Sequence, residues 1–170
     1  MQALGTKASE QLSDKLTAAA KGRIGETLTM LELEYRGWMV FRPDFEEKID
    51  MVAVKAYHQK LFRVCLQVKT SVLTTNYTFR FLRKKILMTP GFYLILCCIE
   101  NTDKRSASFY VIPSQEIPNV MRKELHSKSW KKGSYTFHLP GTKWEIYRDR
   151  FDLLEKENAE PWNLNCALNS

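Results

Sequence analysis

Apolar side chains recur at helical spacing early in the chain. Ile24, Leu28, Leu31 and Tyr35 stand at i, i+4, i+7 and i+11 and fall on one face, which predicts a helix over residues 8–36. A break or kink is expected at Lys21-Gly22, and Gly37 is expected to end the helix. The period then changes to that of strands. Trp38-Met39-Val40-Phe41 is rich in strand formers and stops at Arg42-Pro43, because proline has no amide to pair. Two apolar runs, 49–54 and 61–68, flank a polar turn over 57–60 and read as a hairpin. In the second run Phe62, Val64, Leu66 and Val68 alternate with Arg63, Cys65, Gln67 and Lys69, so the polar set projects from one face.

Farther along, residues 73–88 mix threonines, aromatics and the basic cluster Arg80, Arg83, Lys84 and Lys85, and no element stands out. Residues 92–99 form an unbroken apolar run expected of a fully buried strand, with 109–112 as its neighbour. Ser114 is placed to cap a short helix running toward Leu125, with Pro118 in its first turn or breaking it. A strand is expected over 135–139, a turn at Pro140-Gly141 and a helix over 147–157. Residues 158–170 are polar and expected to pack loosely. Helix, three strands, a basic segment and two further strands make an α/β or α+β chain with a central mixed β-sheet, and α/β, with the sheet flanked by helices, is the expected class.

The length of 170 residues fits a single domain, with a core over about 21–125 and a C-terminal extension over about 126–170. A hydrophobic fraction of 44% places the chain among globular proteins. The net charge of +7 favours a polyanionic partner, because each phosphate neutralised by a lysine or arginine releases condensed counterions. Cys65, Cys97, Cys98 and Cys166 have neither metal-ligand spacing nor the density of a disulfide framework, so a reducing cytoplasm is expected. The longest apolar run, 92–99, is far too short to span a bilayer, and no signal peptide is visible.

Four polar residues stand where the pattern prefers apolar ones: Glu26, Asp50, Gln67 and Lys69. Glu26 shares a helix flank with Met30 and Leu33. With the hairpin turn centred between His58 and Gln59, Asp50 and Gln67 become direct cross-strand partners. Lys69 lies two residues beyond Gln67 on the same face, about 6.5 to 7 Å away. A hard divalent cation such as Mg²⁺ takes oxygen ligands, and Asp50 offers an anionic one and Gln67 a neutral one. Lys69 is placed to stabilise a pentacovalent phosphate or to acidify an attacking water, and Glu26 to reach the same metal through a water. Each residue also has an ordinary reading. A lone helix carboxylate is usually solvated, an aspartate opening a strand is often a cap, and Gln-Val-Lys at a strand end is often an exposed edge.

Three segments together resemble the PD-(D/E)XK nuclease superfamily: Lys21-Gly22-Arg23-Ile24-Gly25-Glu26 on the core helix, Lys48-Ile49-Asp50 at the second strand and Leu66-Gln67-Val68-Lys69-Thr70-Ser71 on the third. The chain looks most like the Gln-X-Lys branches, the Mrr-like restriction nucleases and the group I intron homing endonucleases, over roughly residues 21–112. The resemblance implies a restriction-endonuclease-like core and Mg²⁺- or Mn²⁺-dependent endonucleolytic hydrolysis of DNA. It makes Asp50 the central metal ligand, Gln67 the occupant of the second acidic ligand's place, Lys69 the catalytic lysine and Glu26 the helix carboxylate. Gln67 brings one negative charge fewer than the family's acid, which weakens metal binding without substrate and leaves open a nuclease fold that binds DNA without cutting it. Asp44, in the literal Pro43-Asp44 pair, ranks below Asp50 because it lies in a loop without a partner.

Arg80, Arg83, Lys84 and Lys85 are the first candidate nucleic-acid contacts, and Arg122, Lys123, Lys128, Lys131 and Lys132 around Trp130 form a second cluster. Runs of charge are often only solvated faces, and the residues do not separate DNA from RNA. A homo-dimer or tetramer follows from the family's habit of cutting both strands of a symmetric duplex.

Overall fold

A computed structural model describes residues 17–44, 48–57, 60–72, 77–101, 106–118, 134–139 and 143–156. Its helix α1 spans Ala18–Tyr35 and is begun by Thr17, whose hydroxyl accepts the Ala20 N–H at 3.2 Å. Gly37 closes it with φ of +82°, a left-handed conformation that glycine adopts without penalty. There the Trp38 N–H donates to the Leu33 carbonyl at 3.0 Å and the Gly37 N–H to that of Glu34 at 2.9 Å. Trp38 and Leu33 are buried in the same cluster, the apolar contact that accompanies this C-terminal motif. The helix runs unbroken through Lys21-Gly22, where a kink was expected. Residues 1–16, which include the expected first turns, lie outside the described residues.

Seven strands follow among the described residues: β1 (Met39–Phe41), β2 (Met51–Tyr57), β3 (Lys60–Val72), β4 (Tyr77–Leu82), β5 (Phe92–Asn101), β6 (Ser106–Pro113) and β7 (Ser134–Leu139). Five of them form a mixed sheet in the order β1-β2-β3-β5-β6, antiparallel throughout except between β3 and β5. The remaining two, β4 and β7, pair as a separate antiparallel ribbon. The chain is therefore α/β with a mixed central sheet, as its pattern predicts, although α1 is the only α-helix that lies from end to end among the described residues.

The sheet is covered on both faces, which is why β5 reads as a continuous apolar run. On one face Leu33 of α1 packs with Met51, Ala53, Val64, Leu66, Ile95 and Val111, joined by Phe151 and Leu154. On the other, Leu94, Leu96, Cys98 and Ile112 pack with Phe79 of β4, Leu139 of β7, Trp144 and Tyr147. Full burial of one such aliphatic or aromatic side chain is worth roughly 1.5–3 kcal/mol, so the ribbon and the C-terminal segment are integral to the core.

The expected helix over 147–157 is instead two short 3₁₀ turns, Glu145–Tyr147 and Phe151–Glu155, separated by Asp149 with φ of +52°. Asp149 pairs with the outer edge of β6: its N–H donates to the Phe109 carbonyl at 2.6 Å and its Oδ1 accepts the Phe109 N–H at 2.9 Å. That pairing covers an edge that would otherwise present open backbone groups, and it stops helix propagation. After β6 the chain makes a 3₁₀ turn at Ser114–Glu116 and is α-helical at residues 117–118, and the remainder of the expected helix toward Leu125 lies outside the described residues. No described helix is long and apolar enough to cross a membrane.

Candidate functional site

The β2–β3 hairpin carries three of the four candidate residues. Its pairing runs from Tyr57↔Lys60 to Met51↔Leu66, the register in which Asp50 and Gln67 are the next residues on the two strands. The ladder stops one step short of them. The Asp50 N–H turns to the Leu66 carbonyl at 2.9 Å, and Asp50 Oδ2 accepts the Val68 N–H at 2.6 Å. Asp50 therefore does cap the strand end, as its ordinary reading holds. The cap engages Oδ2, and Oδ1 takes no hydrogen bond among the described residues.

Gln67 and Lys69 share the β3 face opposite α1, Gln67 beside Leu94 of β5 and Lys69 beside Leu96. An exposed strand edge is the wrong description of Gln67. It is only 2% exposed, and its Oε1 is buried with no hydrogen-bond partner among the described residues. A buried carbonyl oxygen left so costs about 1–3 kcal/mol, an outlay typical of a site built for something else. Lys69 is half-buried.

Glu26 reaches the same end of the sheet from α1. Gly25 lets it: a Cβ at residue 25 would collide with the Thr70 hydroxyl oxygen, so only glycine allows α1 this close to β3. The buried residues of α1 are Gly25, Thr29 and Leu33, with Thr29 Oγ1 donating to the Gly25 carbonyl at 2.8 Å. The predicted apolar face is the wrong one, since Ile24, Leu31 and Tyr35 are 37%, 53% and 90% exposed. Small side chains permit the closest approach to the sheet and so outweigh the larger stripe.

Burial and the neighbouring Asp50 charge push the Glu26 carboxyl above its usual range, against the opposing pull of Arg42, Lys69 and Arg23. The Asp50 charge thus adds to burial in disfavouring the ionised Glu26 carboxyl. Arg42 was not singled out by the sequence pattern. It follows β1 directly, and its Nη2 stands 3.9 Å from Glu26 Oε2. The β1–β2 register Phe41↔Val52 leads β1 toward Asp50, the one signal that could have found it.

Among the described residues no group of three or more histidine, cysteine, aspartate or glutamate side chains is placed to hold a metal ion. The donors here are instead Asp50, the Gln67 amide oxygen and the more distant Glu26, an all-oxygen set suited to Mg²⁺ or Mn²⁺ and ill suited to soft metals. Asp44 is exposed. Burial pushes the Cys97 thiol up to about 12 and raises that of Cys65 as well, which removes both as nucleophiles near neutral pH.

Of the candidate nucleic-acid contacts, Arg80, Lys84 and Lys85 are exposed, while the Arg83 side chain and the cluster at Arg122, Lys123, Lys128, Lys131 and Lys132 lie outside the described residues. Phe79, next to Arg80 on β4, is buried while Arg80 is exposed, and Lys84 and Lys85 stand on the 3₁₀ turn Arg83–Lys85 that follows β4.

No protein-family model matches the chain, and no curated protein matches it. Among solved structures it is similar to a bacterial homing endonuclease, I-Ssp6803I, with a TM-score of 0.54 and 21% sequence identity over 84% of this chain and 94% of that one. An identity this low shows a shared fold and nothing further.

Proposed function

We propose that this protein is a divalent-metal-dependent endonuclease that hydrolyses phosphodiester bonds in DNA, with a site of the PD-(D/E)XK kind formed by Glu26, Asp50, Gln67 and Lys69. The observation that carries the reading is the Gln67 amide oxygen, buried and without a partner among the described residues, next in line to Asp50 at the end of the β2–β3 ladder. Asp50 and Gln67 would hold a hard cation, and that contact would satisfy the buried oxygen and offset its desolvation. When bound, such a metal polarises the scissile phosphate and makes its water more acidic.

The chain's own residues do the rest. The Val68 amide fixes the Asp50 carboxylate in orientation. Lys69 sets a positive charge on the Gln67 face, where negative charge accumulates on phosphate oxygens. Glu26 would orient the attacking water, and its raised proton affinity suits it to hold that water's proton. The net charge of +7 and the exposed Arg80, Lys84 and Lys85 suit a polyanionic substrate, and the name of the similar structure points to DNA.

With Mg²⁺ or Mn²⁺ the purified protein should nick or cleave plasmid DNA. Asp50→Ala and Lys69→Ala should each slow cleavage by about a hundredfold or more while leaving the far-ultraviolet circular dichroism unchanged. Full activity in both variants would remove the proposed site. Gln67→Glu should keep activity and reach half-maximal rate at lower Mg²⁺, whereas its complete loss would mean the amide is needed as a hydrogen-bonding group. The absence of a three-acid cluster among the described residues supports a second reading, a nuclease fold that binds DNA without cutting it. That protein would bind duplexes with steep salt dependence, need no metal and cleave nothing in long incubations. Parallel digestion of DNA and RNA decides the substrate class.

A further inference from the structure

Resting on that reading, we infer that Arg42 is a substrate-binding residue of the same site, held by Glu26 in the free protein and transferred to a DNA phosphate in the complex. Three observations lead there. The Arg42 side chain is 43% exposed and stands beside Glu26, one residue past a β1–β2 register that runs toward Asp50. Its ion pair with Glu26, at 3.9 Å, is too long for a hydrogen bond, so the forked guanidinium spends none of its donors on that carboxylate. Its position is fixed by backbone on both sides, by β1 pairing through Phe41↔Val52 before it and by Pro43 after it.

Two other arginines hold their partners more tightly. Arg36 holds Glu32 at 2.7 Å and lies over the Phe151 ring at 4.6 Å, and Arg150 makes two hydrogen bonds to Asp152 at 2.7 and 2.9 Å. Arg42 alone of these three stands beside the candidate site with a loose partner. That partner is also the group whose charge a bound cation would neutralise. Once Glu26 faces a divalent ion its hold on Arg42 weakens, and the planar fork matches the two non-bridging oxygens of a phosphodiester. The contact belongs to a phosphate next to the one being cut, and it sets register on the backbone without reading sequence.

The test uses the full chain as wild type, Arg42→Ala and Arg42→Lys, all checked for an unchanged melting temperature. Duplex binding is followed by fluorescence anisotropy across a NaCl series, with EDTA and with Mg²⁺, and cleavage by steady-state kinetics in Mg²⁺. Arg42→Ala should raise KM about tenfold, lower kcat by a smaller factor and reduce the slope of log Kd against log salt by about 0.9. Arg42→Lys should restore the slope and only part of the KM. The half-saturating Mg²⁺ concentration should fall in Arg42→Ala, because Glu26 loses a competing cation.

An unchanged KM and salt slope in Arg42→Ala would overturn the inference, as would a loss confined to melting temperature. Wild-type protein that binds duplex DNA without cutting it would overturn the endonuclease reading while the salt slopes still decide on Arg42. Wild-type protein that binds no duplex would overturn both.

Discussion

Glu26 is the residue at which the site and the stability of the fold pull against each other. Its carboxyl is raised above the ordinary value of 4.5, first by burial and then by Asp50. A carboxylate raised in the folded state favours folding while it is protonated. That contribution is fully present below the unfolded value and is lost as pH rises through the folded one, so ionised Glu26 destabilises the metal-free protein at neutral pH. Glu26→Gln should therefore melt higher than wild type at pH 7, and the difference should close as pH falls toward 4. Scanning calorimetry at both pH values checks this. A lower melting temperature for Glu26→Gln at pH 7 would mean that the Arg42 ion pair outweighs burial. Addition of Mg²⁺ should stabilise wild type more than the variant, since a ligand raises stability through the state that binds it.

At the scale of elements, the site depends on how closely α1 seats against β3, and Gly25 against Thr70 is where that distance is set. Alanine is the better helix former by about 1 kcal/mol, but a Cβ here meets the Thr70 hydroxyl oxygen, and Thr70 Cβ at 2.8 Å. Overpacking of this kind costs about 1–3 kcal/mol, so Gly25→Ala should lower the urea midpoint despite its propensity and should slow cleavage by displacing Glu26. The Gly25→Ala, Thr70→Ala double variant should recover part of the loss, because the Thr70 Cβ contact survives; strict additivity would refute the clash. The same contact explains what the sequence could not reveal. Strands were legible because their period is local: β5 was plain as an apolar run, and the hairpin register followed from the turn at 57–60. The buried face of α1 was not, since Ile24, Leu28, Leu31 and Tyr35 carry the stronger apolar period while the sheet admits only Gly25, Thr29 and Leu33. Gln67 was legible as a candidate but not as a buried one. Its face is closed by an apolar cluster in which β4 and β7 take part, and pairing residues 77–82 with 134–139 across the sequence leaves no local periodicity to read.

For the molecule as a whole, the net charge of +7 divides into cations spent on the fold and cations left to bind. Lys55 is of the first kind: its ammonium donates to Glu155 at 2.7 Å and to the Arg36 carbonyl at 2.9 Å and lies 5.8 Å from the Trp38 ring centre, tying the C-terminal turn to α1 and β2. Arg80, Lys84 and Lys85 are of the second kind, exposed and without ion pairs among the described residues. If DNA lies along the ribbon and the 3₁₀ turn Arg83–Lys85 that follows β4, each of these that meets a phosphate contributes about 0.9 to the slope of log Kd against log salt. Lys84→Ala with Lys85→Ala should then lower that slope by about 1.8, weaken binding at every sequence alike and leave stability within about 0.5 kcal/mol, as expected of exposed side chains. Lys55→Met should do the reverse, lowering the denaturation midpoint while the slope stays at the wild-type value. An unchanged slope in the double variant would move the DNA off this ribbon, and a changed slope in Lys55→Met would show that its cation is not committed to the fold. Titration of a labelled duplex at four or five salt concentrations, with a urea melt of each protein, separates these outcomes.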